Sequence, residues 1–166
     1  MQCERTEWIR GDRLALSLCW KGGRIAAVRV HWADEAKPCA DPTPLADALG
    51  RALARYEAGD DPRWPDLPLD LEPLTHFQKS ALDELRRIPS GSTRTYGEMA
   101  KRLGRPGGAQ AVGRAMAANP FPVLYPCHRV VGADGSMTGF SGSGGVAMKE
   151  HLLRLEGALR GRLPGK

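Results

Sequence analysis

The stretch GDDPRWPDLPLDLEP, Gly59 to Pro73, carries four prolines. Proline locks φ and removes a backbone donor, so no long helix can run through this stretch. Whatever the 166-residue chain folds into must therefore form on either side of it. That length suits one ordinary domain or two small ones sharing an interface. The predicted division is an N-terminal domain over 1–73, ending in this Pro-rich connection, and a C-terminal domain over 74–166. The sequence holds no internal repeat and no low-complexity tract.

Charge changes across the same break. Residues 1–74 hold 10 Lys+Arg against 13 Asp+Glu, a net of −3, and residues 75–166 hold 14 against 6, a net of +8. A basic half beside an acidic one points to a polyanionic partner for the second half. It is equally compatible with a solvated basic face that meets nothing. No apolar run reaches bilayer-spanning length, and MQCERTEWIRGDR lacks the apolar stretch of a secretory signal. A cytoplasmic location with reduced thiols is the expectation, and the irregularly spaced Cys3, Cys19, Cys39 and Cys127 do not form a disulfide framework.

In the first half, RLALSLCW (13–20) and RIAAVRVHW (24–32) flank Gly22-Gly23 and read as two strands around a turn. TPLADALGRALARYEA (43–58) has helical apolar spacing, with Thr43 as N-cap and Pro44 in the first helical position. The second half reads as helical. Thr75 with Gln78 fits a capping box ahead of the stripe Phe77, Ala81, Leu82, Leu85 and Ile88. A short helix with Tyr96, Met99, Ala100 and Leu103 closes at Gly104, and a third is expected over Gly107–Ala118. Two short helices around a Gly/Pro corner make a helix-turn-helix candidate, a pattern common in helical domains. Small residues crowd the third helix, including Gly107, Gly108, Ala111 and Gly113, so another helix or a DNA backbone must approach it closely.

The fold class that follows is a small antiparallel sheet plus helix, an α/β N-terminal domain, then a mostly α-helical helix-turn-helix domain. Within the latter, Cys127 and His128 are adjacent. A metal site needs about four ligands, and no second Cys/His pair lies near them. Cys3 and Cys19 could meet in space, but no well-placed histidine supports a structural zinc there. A nucleophile needs a thiolate and a base oriented by a third group. For that, Pro122 and Pro126 would have to hold the dipeptide in a turn, because neighbours diverge in a strand. An isolated Cys-His pair in an apolar run is more often simply buried.

The surrounding sequence bears on that choice. PCHRVVG (126–132) after NPFPVLY (119–125) resembles the active-site signature of the O6-alkylguanine-DNA alkyltransferases. FQKSALDELRRIPSGSTRTYGEMAKRLG (77–104), AVGRAMAANP (111–120) and GFSGSGGVAMKEHLLRLEGAL (139–159) are similar to the family's helix-turn-helix entry, recognition helix, and closing loop with final helix. The resemblance covers roughly residues 75–159.

It implies a single-turnover methylated-DNA–protein-cysteine methyltransferase. Such an enzyme flips an alkylated guanine (or O4-alkylthymine) out through the minor groove and moves the alkyl group to Cys127, using no cofactor. His128 and Glu156 would form the relay that deprotonates the thiol through a water, Tyr96 would hydrogen-bond the leaving base, and Asn119 would tie recognition helix to active-site segment. Gln110, Ala111, Gly113 and Arg114 would face DNA, with Arg129, Lys149 and the lid residues Phe140, Ser141 and Ser143 nearer the substrate. The implied partner is double-stranded DNA containing alkylated guanine, bound by a monomer away from any membrane. Two departures stand out. Gln110 occupies the place of the family's arginine, and FSGSGG is two residues longer than the usual lid. Competing readings are a damage sensor that does not repair and a helix-turn-helix regulator; the former lacks the cysteine in known relatives, and the latter gives no reason for PCHR.

Overall fold

The computed structural model describes residues 2–137, 140 and 144–159. They fall into two compact units divided between Pro73 and Leu74.

The first unit is built on an antiparallel sheet of β1 (Arg5–Arg10), β2 (Leu14–Lys21) and β3 (Arg24–Trp32), in that order. β1 is a strand that alternation did not reveal, because polar residues interrupt it. The β2–β3 turn is Gly22-Gly23, both at positive φ (59° and 76°), which is what a two-residue hairpin turn matched to strand twist requires. Ile9, Leu16 and Val30 sit opposite one another across the three strands and are all buried. Helix α1 (Leu45–Glu57) packs on β1 and buries Leu49, Ala52, Leu53 and Tyr56.

Carboxylates finish what the strands leave open. Glu57 accepts from the backbone N–H groups of Asp12, Arg13 and Leu14 at 2.8, 2.8 and 2.7 Å, closing the β1–β2 turn. Glu7 is fully buried and accepts from Trp20 Nε1, the Thr43 amide and the Thr43 hydroxyl. Thr43 is therefore not the N-cap expected of it; its hydroxyl is committed to Glu7, and α1 starts after Pro44.

The Pro-rich connection is extended and anchored on the same unit. Ile25 exchanges backbone hydrogen bonds with Pro68 and Asp70, and the Arg55 guanidinium donates twice to the Pro62 carbonyl. One sequence expectation fails here. Cys3 and Cys19 are disulfide-bonded, with Cα atoms 5.3 Å apart. The β1–β2 register pairs Arg5 with Trp20, and Glu4 N donates to the same Trp20 carbonyl, so the chain leaves the ladder just before β1 and residue 3 meets residue 19, a juxtaposition that sequence spacing does not encode.

The second unit is helical: α2 (His76–Leu85), α3 (Tyr96–Arg102), α4 (Ala109–Ala117) and α5 (Gly145–Leu155), with a parallel two-residue pair of β4 (Arg94–Thr95) and β5 (Val130–Val131). The Thr75/Gln78 capping box is present at α2. A second one, Thr95 with Glu98, opens α3. Gly104 at φ 71° ends α3. Helix α4 is shorter at its start than the sequence predicts. Gly107 is left-handed (φ 83°) in the preceding turn, and a Cβ on Gly108 would lie 2.8 Å from the Arg105 carbonyl. Two of the three glycines thus serve the turn and leave only Gly113 inside the helix, where a Cβ would meet nothing within 4 Å.

Replacing Glu57 by Ala removes three backbone hydrogen bonds, one of them to the amide of the buried Leu14, and should cost the first unit about 1–2 kcal/mol. A denaturant titration of the variant, followed by tryptophan fluorescence, checks this; an unchanged midpoint would refute the role assigned to Glu57.

Candidate active site

Between α4 and α5 the chain runs from Asn119 to Val131 almost wholly buried. A buried irregular segment must find partners for its backbone. Asn119 supplies two, donating from Nδ2 to the Tyr125 carbonyl (2.9 Å) and accepting from the Phe121 amide (2.9 Å). Phe121 and Tyr125 close the turn by their own backbone bond (2.9 Å), leaving Val123 in the left-handed region at φ 73°. For a β-branched residue that conformation is strained and needs such surrounding constraint. Arg86, the C-cap residue of α2, stacks on the Tyr125 ring, 4.1 Å from its centroid.

The segment leads into a 3-10 turn over Cys127–Arg129. Consecutive side chains on such a turn are not forced to opposite faces as they are in a strand. Cys127 is buried, at 4% exposure, and lies outside any disulfide. His128 is fully buried, and its Nε2 lies 2.7 Å from Glu156 Oε1. Glu156 caps the C-terminus of α5 with its side chain 2% exposed. Arg129 donates to both carboxylate oxygens, Nε to Oε2 and Nη2 to Oε1, each at 2.9 Å. Its Nη1 donates to the Ile88 carbonyl (2.7 Å).

Protonation states follow. Burial alone would raise the Glu156 pKa, but the hydrogen bonds and positive charge brought by His128 and Arg129 bring it down to about 2. The carboxylate is thus ionised and can only accept, so His128 Nε2 carries the proton. Burial depresses the His128 pKa; the Glu156 hydrogen bond and charge oppose this in part, while Arg129 and Lys149 add to the depression. The ring is therefore neutral at pH 7, and the His128–Glu156 contact is a hydrogen bond to a carboxylate rather than an ion pair. His128 Nδ1 is left as a basic lone pair, buried and without a hydrogen-bond partner among the described residues. A buried thiol beside a neutral, carboxylate-oriented imidazole with a vacant basic nitrogen is the constellation of an activated nucleophile.

A family model described as 6-O-methylguanine DNA methyltransferase, DNA binding domain, matches residues 76–158. The chain belongs to that family. A methylated-DNA–protein-cysteine methyltransferase of Methanosarcina acetivorans is 47% identical over 108 residues, 65% of this chain and 67% of the relative. Its namesake in Mycobacterium tuberculosis is 42% identical over 128 residues, 77% and 71% of the two chains. The structure of Mycobacterium tuberculosis OGT in complex with DNA superposes with a TM-score of 0.71 at 36% identity, covering 91% of each chain.

Within this methyltransferase fold, His128 and Glu156 come together, Cys127 precedes His128 in the same buried turn, and Asn119 pins the segment that leads into it. Tyr96 is half-buried at the first position of α3, its ring 5.8 Å from Lys149 Nζ. Gln110 and Arg114 are exposed on α4, with Ala111 and Gly113 half-buried between them. Two residues expected near substrate or DNA turn inward instead. Arg129 clamps Glu156 from behind. Lys149 is buried at 1% exposure and donates to the Val130 carbonyl (2.6 Å), fastening α5 to the strand that follows the catalytic turn. In both cases a long cation is used to satisfy buried acceptors, which a linear motif cannot show. Phe140 is half-buried, while Ser141 and Ser143 lie outside the described residues.

Other positioning residues carry no motif. Glu84 is buried and pairs with Arg94 (3.1 Å) and Arg87 (2.6 Å), holding β4 to α2. β4 in turn pairs with β5, immediately after Arg129. Gly91, at φ 87°, passes so close to α5 that a Cβ would lie 3.1 Å from the Glu156 carbonyl.

Acid should unlock this site in two stages. The unfolded chain binds a proton at His128 near pH 6.5 and at Glu156 near 4.5, whereas the folded protein resists both, the latter down to about 2. Stability contributed by these groups is thus complete above 6.5 and lost as pH falls, most strongly between 4.5 and 2. Urea unfolding across this range measures it, and Glu156→Gln should flatten the lower part of the profile.

Proposed function

We infer that this protein repairs DNA by moving the alkyl group of O6-alkylguanine onto Cys127. The observation that carries the reading is the buried His128–Glu156–Arg129 cluster, which leaves a neutral imidazole with an available Nδ1 on the residue that follows the buried Cys127 in the same turn. The thiol proton passes through a water to His128 Nδ1, with Glu156 stabilising the imidazolium that forms. Sulfur attacks the alkyl carbon, the S–C bond forms as the C–O bond breaks, and the electron pair leaves with the purine. Tyr96 hydrogen-bonds the base as that charge develops, and the proton held by His128 neutralises it. The thioether has no good leaving group, so each molecule acts once.

Cys127 is buried, so the lesion must leave the duplex to reach it, at a cost of a few kcal/mol. Helix α4 presents Gln110 and Arg114 to the DNA, with Ala111 and Gly113 permitting close approach. The protein works as a monomer on double-stranded DNA carrying alkylated guanine, in the cytoplasm. Among the described residues no helix is long and apolar enough to cross a membrane.

The test is to incubate the protein with duplex DNA containing O6-methylguanine and weigh the tryptic peptide Ala115–Arg129. A methyl adduct on Cys127, absent from Cys127→Ser, is expected. Lesion-selective binding with no adduct would instead identify a damage sensor, and neither outcome would remove both readings. O4-methylthymine DNA in the same assay measures lesion preference.

Gln110 wedges and hydrogen-bonds without contributing charge to the phosphates. Gln110→Arg should tighten duplex binding, with a steeper salt dependence, and speed transfer from duplex. If affinity and rate both stay unchanged, Gln110 is not the residue that fills the vacated stack.

A further inference from the structure

The sheet of the first unit has a second face, opposite the one that buries Ile9, Leu16 and Val30. Trp8, Ser17 and Arg29 lie opposite one another across its three strands, placing them on this face together. A cavity of about 340 Å³ opens here, lined by these three, by His31 of β3, by Lys37, and by the Cys3–Cys19 disulfide.

Its wall is ordered. His31 Nε2 and Ser17 Oγ are hydrogen-bonded at 2.8 Å, and the His31 ring lies against Trp8 with centroids 4.6 Å apart. Both rings are thereby held in place. Arg29 and Lys37 are exposed, and among the described residues neither makes a salt bridge. No carboxylate lines the cavity among those residues. The nearby Glu35 is engaged elsewhere, accepting from the Trp32 amide at 2.7 Å. Two unpaired cations beside a fixed tryptophan therefore sit in the half of the chain whose net charge is −3.

We propose that this cavity seats one unpaired nucleotide of a DNA strand, its phosphate on Arg29 and Lys37 and its base against Trp8. The volume falls within the roughly 300–1,000 Å³ typical of small-ligand sites. Guanidinium and ammonium groups recognise phosphate by charge and hydrogen bonding, and an indole gives any base a stacking surface regardless of sequence. Burial lowers the His31 pKa; Glu35 opposes this and the charges of Arg29 and Lys37 reinforce it, so the ring is a neutral wall and leaves the phosphate to the two cations. The site shares no residue with the alkyl-transfer centre, and its test reads a different signal.

The experiment follows the Trp8 indole N–H resonance of the full chain by NMR, assigned by its loss in Trp8→Phe. The titrants are deoxyadenosine monophosphate, deoxyadenosine, inorganic phosphate and a short oligothymidylate strand. The expected result is a saturable shift with the mononucleotide and the strand, both tighter than with deoxyadenosine or phosphate alone. Arg29→Ala/Lys37→Ala, which changes only exposed side chains, should weaken both by at least about tenfold. The proposal is overturned by no saturable shift, by a shift that survives the double variant, or by a mononucleotide that binds where the strand does not. Methyl transfer to Cys127 can succeed or fail independently of each of these results.

Discussion

Everything in the second unit turns on a single buried carboxylate. Glu156 sits at the end of α5, where its charge is away from water and must be matched. Arg129 meets it with two nitrogens and His128 with one, and these three contacts join the catalytic turn to the last helix. A buried ion pair is weak evidence for stability, because desolvation offsets much of its attraction. Its value here is in specifying protonation. The arginine keeps the carboxylate ionised, the ionised carboxylate sets the histidine tautomer, and the tautomer leaves the other ring nitrogen basic. Loss of Arg129 would leave the charge under-compensated without touching either reacting atom.

The surrounding scaffold holds that geometry from several sides. Asn119 secures the entry to the segment, and the β4–β5 pair and Lys149 secure its exit. Thr95 both pairs with Val131 and caps α3, so the strand that braces the catalytic turn also sets where Tyr96 begins its helix. Glu84 anchors that strand through Arg94. Gly91 lets the turn after α2 pass close against the Glu156 backbone, where any side chain would push α5 away. The strained Val123 belongs to the same arrangement, since its conformation is affordable only because Asn119 and the Phe121–Tyr125 bond hold both sides of it.

The first unit follows a different logic. Its carboxylates Glu7 and Glu57 complete turns and helix approaches, and its disulfide ties the residues before β1 to the central strand. The sheet buries one face under α1 and leaves cations and aromatic rings on the other. An acidic unit with a local cationic cavity and a basic unit with a buried nucleophile are two separate electrostatic designs in one chain.

Much was legible in the residues alone. Four prolines divided the chain, Gly22-Gly23 marked the hairpin, Thr75 and Gln78 marked a helix start, and PCHRVVG in its setting pointed to Cys127 and His128 as the residues to look at. Each of these is a local signal, carried by backbone preferences or by a short motif. Contacts between distant residues left no such trace. Only the folded chain showed that Cys3 meets Cys19, that Thr43 serves Glu7 rather than α1, and that Gly107 and Gly108 shape a turn rather than a helix surface. The same holds for Arg129 and Lys149, whose charge reads as a reach toward DNA until their acceptors are seen to be Glu156 and the Ile88 and Val130 carbonyls. Sequence determined which groups could do the chemistry; tertiary structure decided which of the cations were spent on holding them, because a buried acceptor is visible only once the chain has closed over it.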